Sequence, residues 1–216
     1  MIHILSKQNS IFNQYIAELR DVTIQNDSMR FRRNLERIGE IIGYEISKTL
    51  SYCTKETTTP LGIAETSHLV EQPVIATILR AGLPMHIGLL NYFDKAENAF
   101  VSAYRRHYKD NTFDVHVEYV SSSDIEDKVV ILCDPMIATG ASIVLAFKAL
   151  LAKGNPKHTH IISAISSRQG IENVKANMPT KDFTIWCGAI DEELTAHSYI
   201  VPGLGDAGDL AFGTKI

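Results

Sequence analysis

Asp134 stands at the end of an apolar run, VVILC (129–133), and five residues later come Thr139, Gly140, Ala141 and Ser142. The stretch DPMIATGAS (134–142) lies between a reading of buried strand and a reading of helix. Small residues at a helix start let backbone N–H groups approach a ligand closely. The unpaired donors and positive dipole end there suit a phosphate. The hydroxyls of Thr139 and Ser142 can add hydrogen bonds, and a carboxylate upstream can accept from a sugar diol. A phosphorylated sugar is therefore one reading of the stretch. An ordinary β–α turn with Ser and Thr capping the helix is the other, and the residues alone leave both open. GxxxxGK[ST] occurs nowhere, so this is not a P-loop.

Three further stretches have the composition of a site. VPGLGDAGD (201–209) matches GxGxxG by letter, but only eight residues follow Gly208, too few for a dinucleotide-binding unit. A wall of bare backbone around a flat heterocycle fits better, against the plainer reading of a tail loop full of turns. ILRAGLP (78–84) puts Arg80 at the end of an apolar strand beside Ala81 and Gly82, which suits an anion or simply a solvated sheet edge. AYRRHYKD (103–110) crowds Arg105, Arg106, His107 and Lys109 into one loop; such a charge run is more often solvated than binding. Two stretches are read as decoys. His158 and His160 in HTH lack a metal-site context and fit a strand start with polar residues outward. Asp124, Glu126 and Asp127 fit a solvated turn.

The elements that must hold these loops follow from hydrophobic periodicity. PVIATIL (73–79), AFVSAYR (99–105), KVVILC (128–133), THIISAIS (159–166) and FTIWCGAI (183–190) read as strands. LPMHIGLLNYF (83–93), SIVLAFKALLAKG (142–154) and GIENVKANM (170–178) read as helices between them. FDVHVEYV (113–120) alternates at period two and pairs as a hairpin arm with 99–105. Residues 28–50 carry Phe31, Leu35, Ile38, Ile42 and Ile46 at helical spacing, capped by Asp27 or Ser28, with Arg30, Arg32 and Arg33 on a solvated face. TTTPLG (57–62) is extended and then broken by Pro60. Alternating strands and helices predict an α/β fold with a parallel sheet, whose ligands sit at the carboxyl ends of the strands.

Length and composition bound the rest. A chain of 216 residues fits one domain with its own core. A net charge of −4 argues against nucleic acid as a partner. Cys53, Cys133 and Cys187 form no CxxC pair and suit a reducing cytosol, so the expected location is cytoplasmic. MIHILSKQNS lacks the pattern of a signal peptide, and no apolar run nears the ~20 residues of a membrane span, so no membrane is expected as a partner.

Taken together, DPMIATGAS, ILRAGLP and YIVPGLGDAGD with FGTK behind it resemble the uracil phosphoribosyltransferases, from about Pro73 to the end; the first 60 residues are less similar. PGLGDAGD followed by FGT is the specific part. The resemblance implies a type I phosphoribosyltransferase fold with a C-terminal hood. It implies one domain over 1–216, with a helical N-terminal segment (1–60), a core sheet (73–190) and a uracil-binding hood loop (190–216). The implied reaction joins uracil to phosphoribosyl diphosphate (PRPP), giving UMP and diphosphate, with Mg2+ held through the diphosphate and water rather than by direct protein ligands. PRPP would contact Arg80, Arg105, Asp134, Pro135, Met136, Ile137, Ala138, Thr139, Gly140, Ala141, Ser142 and Asp206. Uracil would contact Ile200, Gly205, Asp206 and Ala207, largely through backbone. Asp206, Arg105 and Asp134 would carry catalysis, with no general base assigned. The loop has Ala141 where many relatives have a second glycine, and RHYKDNT follows Tyr104 where many bacterial relatives are acidic. A homodimer or higher oligomer is implied, and a GTP effector is left open. A non-catalytic, RNA-binding regulator on the same fold and an enzyme for a purine base are the rival readings.

Overall fold

The computed structural model describes residues 1–107 and 113–214, with side chains described outside 103–116. In chain order it contains β1 (Ile2–Ile4), α1 (Ile11–Arg20), α2 (Ser28–Ser47), β2 (Tyr52–Thr59), β3 (Gly62–Leu69), β4 (Val74–Leu79), α3 (Leu83–Leu90), β5 (Glu97–His107) and β6 (Phe113–Ser122). There follow β7 (Val129–Cys133), β8 (Met136–Ile137), α4 (Ala141–Leu150), β9 (His158–Ser167), α5 (Arg168–Asn177), β10 (Phe183–Asp191), β11 (Glu193–Leu194), β12 (Ile200–Val201) and α6 (Ala207–Phe212).

The central sheet runs β1-β10-β9-β7-β4-β5-β6, with β8 alongside β9. Its pairings are parallel except that of β5 with β6, which is antiparallel. This is the expected α/β sheet flanked by helices. The β5–β6 pair is the expected arm, running from Ala99↔Ser122 out to His107↔Phe113. The tip of the arm, with Lys109, lies outside the described residues.

Period-two alternation splits the apolar strand residues between two faces. Ile75, Ile131 and Ile162 join the buried residues of α1, α2 and α3. Val74, Ala76, Val130, Leu132 and Ile161 join those of α4 and α5 on the other face. The spacing seen in α2 is the spacing it buries: Phe31, Leu35, Ile38, Ile42 and Ile46 are all essentially inaccessible. Burial of each is worth about 1.5–3 kcal/mol, so packing rather than propensity holds the helix. Asp27, not Ser28, is its cap, accepting from the N–H groups of Met29 and Arg30.

Several expectations are corrected. The arginines of α2 do not simply point into solvent. Arg30 forks onto Glu18 at 2.8 Å, and Arg32 donates to the Ala211 carbonyl at 2.6 Å. Arg30 and Asn34 together hold the Glu18 carboxyl down to about 2. The stretch TTTPLG is extended up to a turn at Pro60, as expected, but the antiparallel hairpin of β2 with β3 that it belongs to is not among the expected elements; the hairpin exposes Leu61 and Ile63. Residues 1–60 also contribute a strand, β1, to the edge of the sheet. His160 is buried rather than outward, its Nδ1 accepting from Trp186 Nε1 at 3.1 Å. No helix among the described residues is long and apolar enough to cross a membrane.

Candidate active site

The carboxyl ends of β4 and β7 are adjacent in the sheet, with Thr77 paired to Cys133. The loops leaving those ends meet the C-terminal segment around a cleft of about 680 Å³. Arg80, Asp134, Met136, Ile137, Ala138, Thr139, Gly140 and Ser142 line it from the sheet side, and Gly205, Asp206 and Ala207 line it from the C-terminal side. Residues as far apart in the chain as Arg80 and Asp209, 129 positions, are thus brought to one cavity.

The loop after β7 is built to leave a helix start open. Asp134 is half-buried, and its Oδ1 accepts from Met136 N–H at 3.3 Å. Gly140 caps α4 at φ 77 with no side-chain hydrogen bond to the helix. A Cβ at Gly140 would stand 2.5 Å from the Gly170 carbonyl, so both the left-handed backbone and the close approach require glycine. Apart from Ala141 N–H, which Thr139 Oγ1 engages, the first-turn N–H groups remain available to an anion. The loop is braced from the end of β9 and from α5: Ser167 Oγ donates to the Ala138 carbonyl at 2.5 Å, and Asn173 Nδ2 to the Thr139 carbonyl at 2.7 Å. Thr139 Oγ1 accepts from Ala141 N–H at 3.4 Å.

Beneath the loop, burial pushes the Cys133 thiol up to about 12, so it stays protonated near neutrality and is no nucleophile. At the end of β4, Arg80 Nη2 donates to the Gly213 carbonyl at 3.0 Å and lies 3.5 Å from Asp209 Oδ1. On the C-terminal side, Asp206 is the N-cap of α6, its Oδ1 accepting from Asp209 N–H at 3.0 Å. One carboxylate oxygen is thereby engaged in folding the loop, and the residue still borders the cleft.

Not every expected residue lines the cavity. Pro135 is buried, and its carbonyl accepts from the N–H groups of Ala164 and Ile165, tying the loop to β9. Ile200 is 3% exposed and packs into the core behind the hood while pairing with Leu194. Ala141 opens α4 but is not on the lining. Arg105 and Arg106 belong to β5, and their side chains are among those not described. Reading the sequence missed His197, Ser198, Tyr199, Gly208 and Asp209, which also border the cleft. Gly208 and Asp209 sit inside the glycine-rich block already singled out. Tyr199 opens the YIVPGLGDAGD block, whereas His197 and Ser198 carry no motif and reach the mouth through the turn closed by Thr195 N–H on the Tyr199 carbonyl.

The family model for uracil phosphoribosyltransferase matches residues 6–214. A uracil phosphoribosyltransferase of Porphyromonas gingivalis is 58% identical over 217 residues, covering 100% of this chain and 99% of that one. One of Methanothermobacter thermautotrophicus is 36% identical over 189 residues, covering 87% and 85%. The solved structure of the AQ2163 protein from Aquifex aeolicus superposes with a TM-score of 0.87 at 27% identity, covering 100% of both chains. The chain is therefore a pentosyltransferase enzyme. Within that class it belongs to the uracil phosphoribosyltransferase family.

Proposed function

We propose that the cleft joins uracil to PRPP, releasing UMP and diphosphate. The observation that carries this reading is the pairing of two unlike walls in one cavity: the glycine-capped start of α4 and the backbone-rich loop at Gly205–Ala207. The first suits a 5-phosphate. The second suits the edge of a small planar base.

The roles follow from the chemistry. The 5-phosphate sits on the backbone of Thr139 to Ser142, and Asp134 accepts from the ribose hydroxyls. This fixes C1′ opposite the base loop, so positioning supplies much of the rate. The bond from C1′ to the diphosphate oxygen breaks with its electron pair leaving on the diphosphate, while N1 of uracil bonds to C1′ and gives up its proton to water. Arg80 and Arg105 hold the departing negative charge. Backbone donors near Gly205–Ala207 favour the anionic form of the ring, and no side chain is assigned as general base. For magnesium, the carboxylates of Asp134, Asp206 and Asp209 on the cleft suit a cation that arrives on the diphosphate. Asp206 and Asp209 bring carboxylates to the cleft and would orient its waters. Bound there, magnesium would neutralise charge on the leaving group.

The net charge of −4 favours small-molecule partners over nucleic acid, and the free cysteines Cys53, Cys133 and Cys187 suit a reducing cytoplasm. Leu61 at 100% and Ile63 at 69% exposure on the β2–β3 hairpin support a homodimer or higher oligomer. The experiment is purified protein with labelled uracil, PRPP and magnesium. Formation of UMP is expected; none above background from well-folded protein would overturn the reading. Competition by hypoxanthine, adenine or guanine is expected to fail, and success would move the assignment to a purine base.

A further inference from the structure

We infer that Arg20 and Asp191 are positioning residues that hold the base-reading loop through Gly203, an inference that rests on the reaction proposed above. Neither residue lines the cleft. Arg20 ends α1 and Asp191 ends β10, 171 positions later. Their side chains meet as a fork, Nη1 to Oδ2 and Nη2 to Oδ1, both at 2.8 Å. Asp191 is 8% exposed, so the pair is largely removed from water.

The pair does more than neutralise itself. Arg20 Nη1 also donates to the Gly203 carbonyl at 2.9 Å. Asp191 Oδ2 also accepts from Gly203 N–H at 2.9 Å. Both polar groups of one residue's backbone are therefore taken by a single ion pair. That residue is conformationally special: Gly203 has φ 57, and a Cβ on it would stand 2.1 Å from the Ile200 carbonyl. Gly205, Asp206 and Ala207, which border the cleft, follow two to four residues on. Gln25 Nε2 steadies the anchor from below by donating to the Arg20 carbonyl at 3.0 Å.

A buried ion pair adds little net stability compared with a well-packed apolar pair, yet removing one partner strands a charge. Its use here is geometric. A bidentate guanidinium–carboxylate fork has a fixed plane and spacing, so it sets where Gly203 lies and hence where the next turn begins. Reading a base through backbone atoms tolerates little displacement, and a shift of about 1 Å costs on the order of 100-fold in rate. The loop at 134–142 is braced separately by Ser167 and Asn173. Loosening the pair should therefore disturb uracil more than PRPP, whose 5-phosphate and ribose rest on that separately braced loop.

The test uses the full chain with Arg20→Lys and Asp191→Asn, conservative variants chosen to fold, in steady-state kinetics and amide hydrogen exchange. The expected result is a uracil KM raised on the order of 10- to 100-fold, a PRPP KM within about twofold, and faster exchange at Gly203. Lys keeps the charge but not the fork, so Arg20→Lys should not restore the uracil KM. Unchanged uracil KM in both variants overturns the inference, whether or not exchange speeds up. Equal rises in both KM values also overturn it, since they mean general loosening. A wild-type protein that makes no UMP overturns the proposed reaction instead, and the exchange at Gly203 then decides alone whether the pair holds the loop.

Discussion

Arg80 donates from Nη2 to the Gly213 carbonyl at 3.0 Å, joining the carboxyl end of β4 to the residue that terminates α6. The same nitrogen lies 3.5 Å from Asp209 Oδ1, with Arg80 40% and Asp209 35% exposed in their side chains. An arginine held this loosely can exchange a carbonyl and a distant carboxylate for a diphosphate. Such exposed pairs contribute about 0–1 kcal/mol to folding. Arg80→Ala is therefore expected to lower kcat/KM for PRPP on the order of 100- to 1,000-fold, as loss of a charge-stabilising donor does. Its Tm should fall by less than about 4 °C. Activity assays and a thermal melt check both; a large fall in Tm with mild kinetic loss would make Arg80 a structural strut.

Asp206 combines two roles that substitution can separate. Its Oδ1 caps α6 by accepting from Asp209 N–H at 3.0 Å. Asn caps as well as Asp does, so Asp206→Asn keeps the helix start and removes only the charge. The expected outcome is a Tm within about 2 °C of wild type and activity reduced on the order of 100-fold. Asp206→Ala should lose activity similarly and also about 1 kcal/mol of stability from the missing cap. Comparable activity of the Asn variant and wild type would leave Asp206 a cap and nothing more.

The loop at 134–142, the glycine block and the α/β order could be read from residue types because each depends on local rules. An apolar β-branched run gives a buried strand, and a left-handed cap asks for glycine. What escaped reading depends on partners far apart in the chain. The β2–β3 hairpin is rich in threonine and pairs polar residue with polar residue along much of its length, as Thr54 with Ser67 and Lys55 with Thr66, so no apolar face announces it. Arg20 and Asp191 look like an ordinary helix end and strand end until the fold brings them to 2.8 Å. Arg32 looked like one more solvated charge, yet its partner is the backbone of Ala211, which has no side-chain signal. His160 follows a polar strand start, and only the approach of β10 shows that Trp186 covers it.

Gly140 tests whether the start of α4 is a cradle or a capped turn. With φ 77 and only 2.5 Å between a new Cβ and the Gly170 carbonyl, Gly140→Ala must move the loop or α5. Left-handed strain for a non-glycine residue costs about 1–3 kcal/mol. Urea unfolding should show a loss of that size. Ribose 5-phosphate should raise the wild-type Tm and fail to raise the variant's. If it stabilises both equally, the phosphate is held elsewhere.

His160 sets an acid limit on the fold. Burial is the main cause that pushes its imidazole from 6.5 down to about 3, with neighbouring His158 and His3 adding to it. Its Nδ1 accepts from Trp186 Nε1, which requires that nitrogen to be unprotonated. In the unfolded chain the imidazole takes up a proton near pH 6.5, whereas in the folded chain it resists until about 3. Between those values the unfolded state binds more protons, so stability is complete above about 6.5 and is lost as pH falls toward 3. Each pH unit inside the window costs up to about 1.4 kcal/mol from this one group. Urea midpoints read by Trp186 fluorescence should therefore fall steadily from pH 7 to 4. His160→Gln can still accept from Trp186 Nε1 but does not titrate, so its midpoints should fall less steeply over the same range. Equal slopes in the two proteins would mean that His160 takes up no extra proton on unfolding.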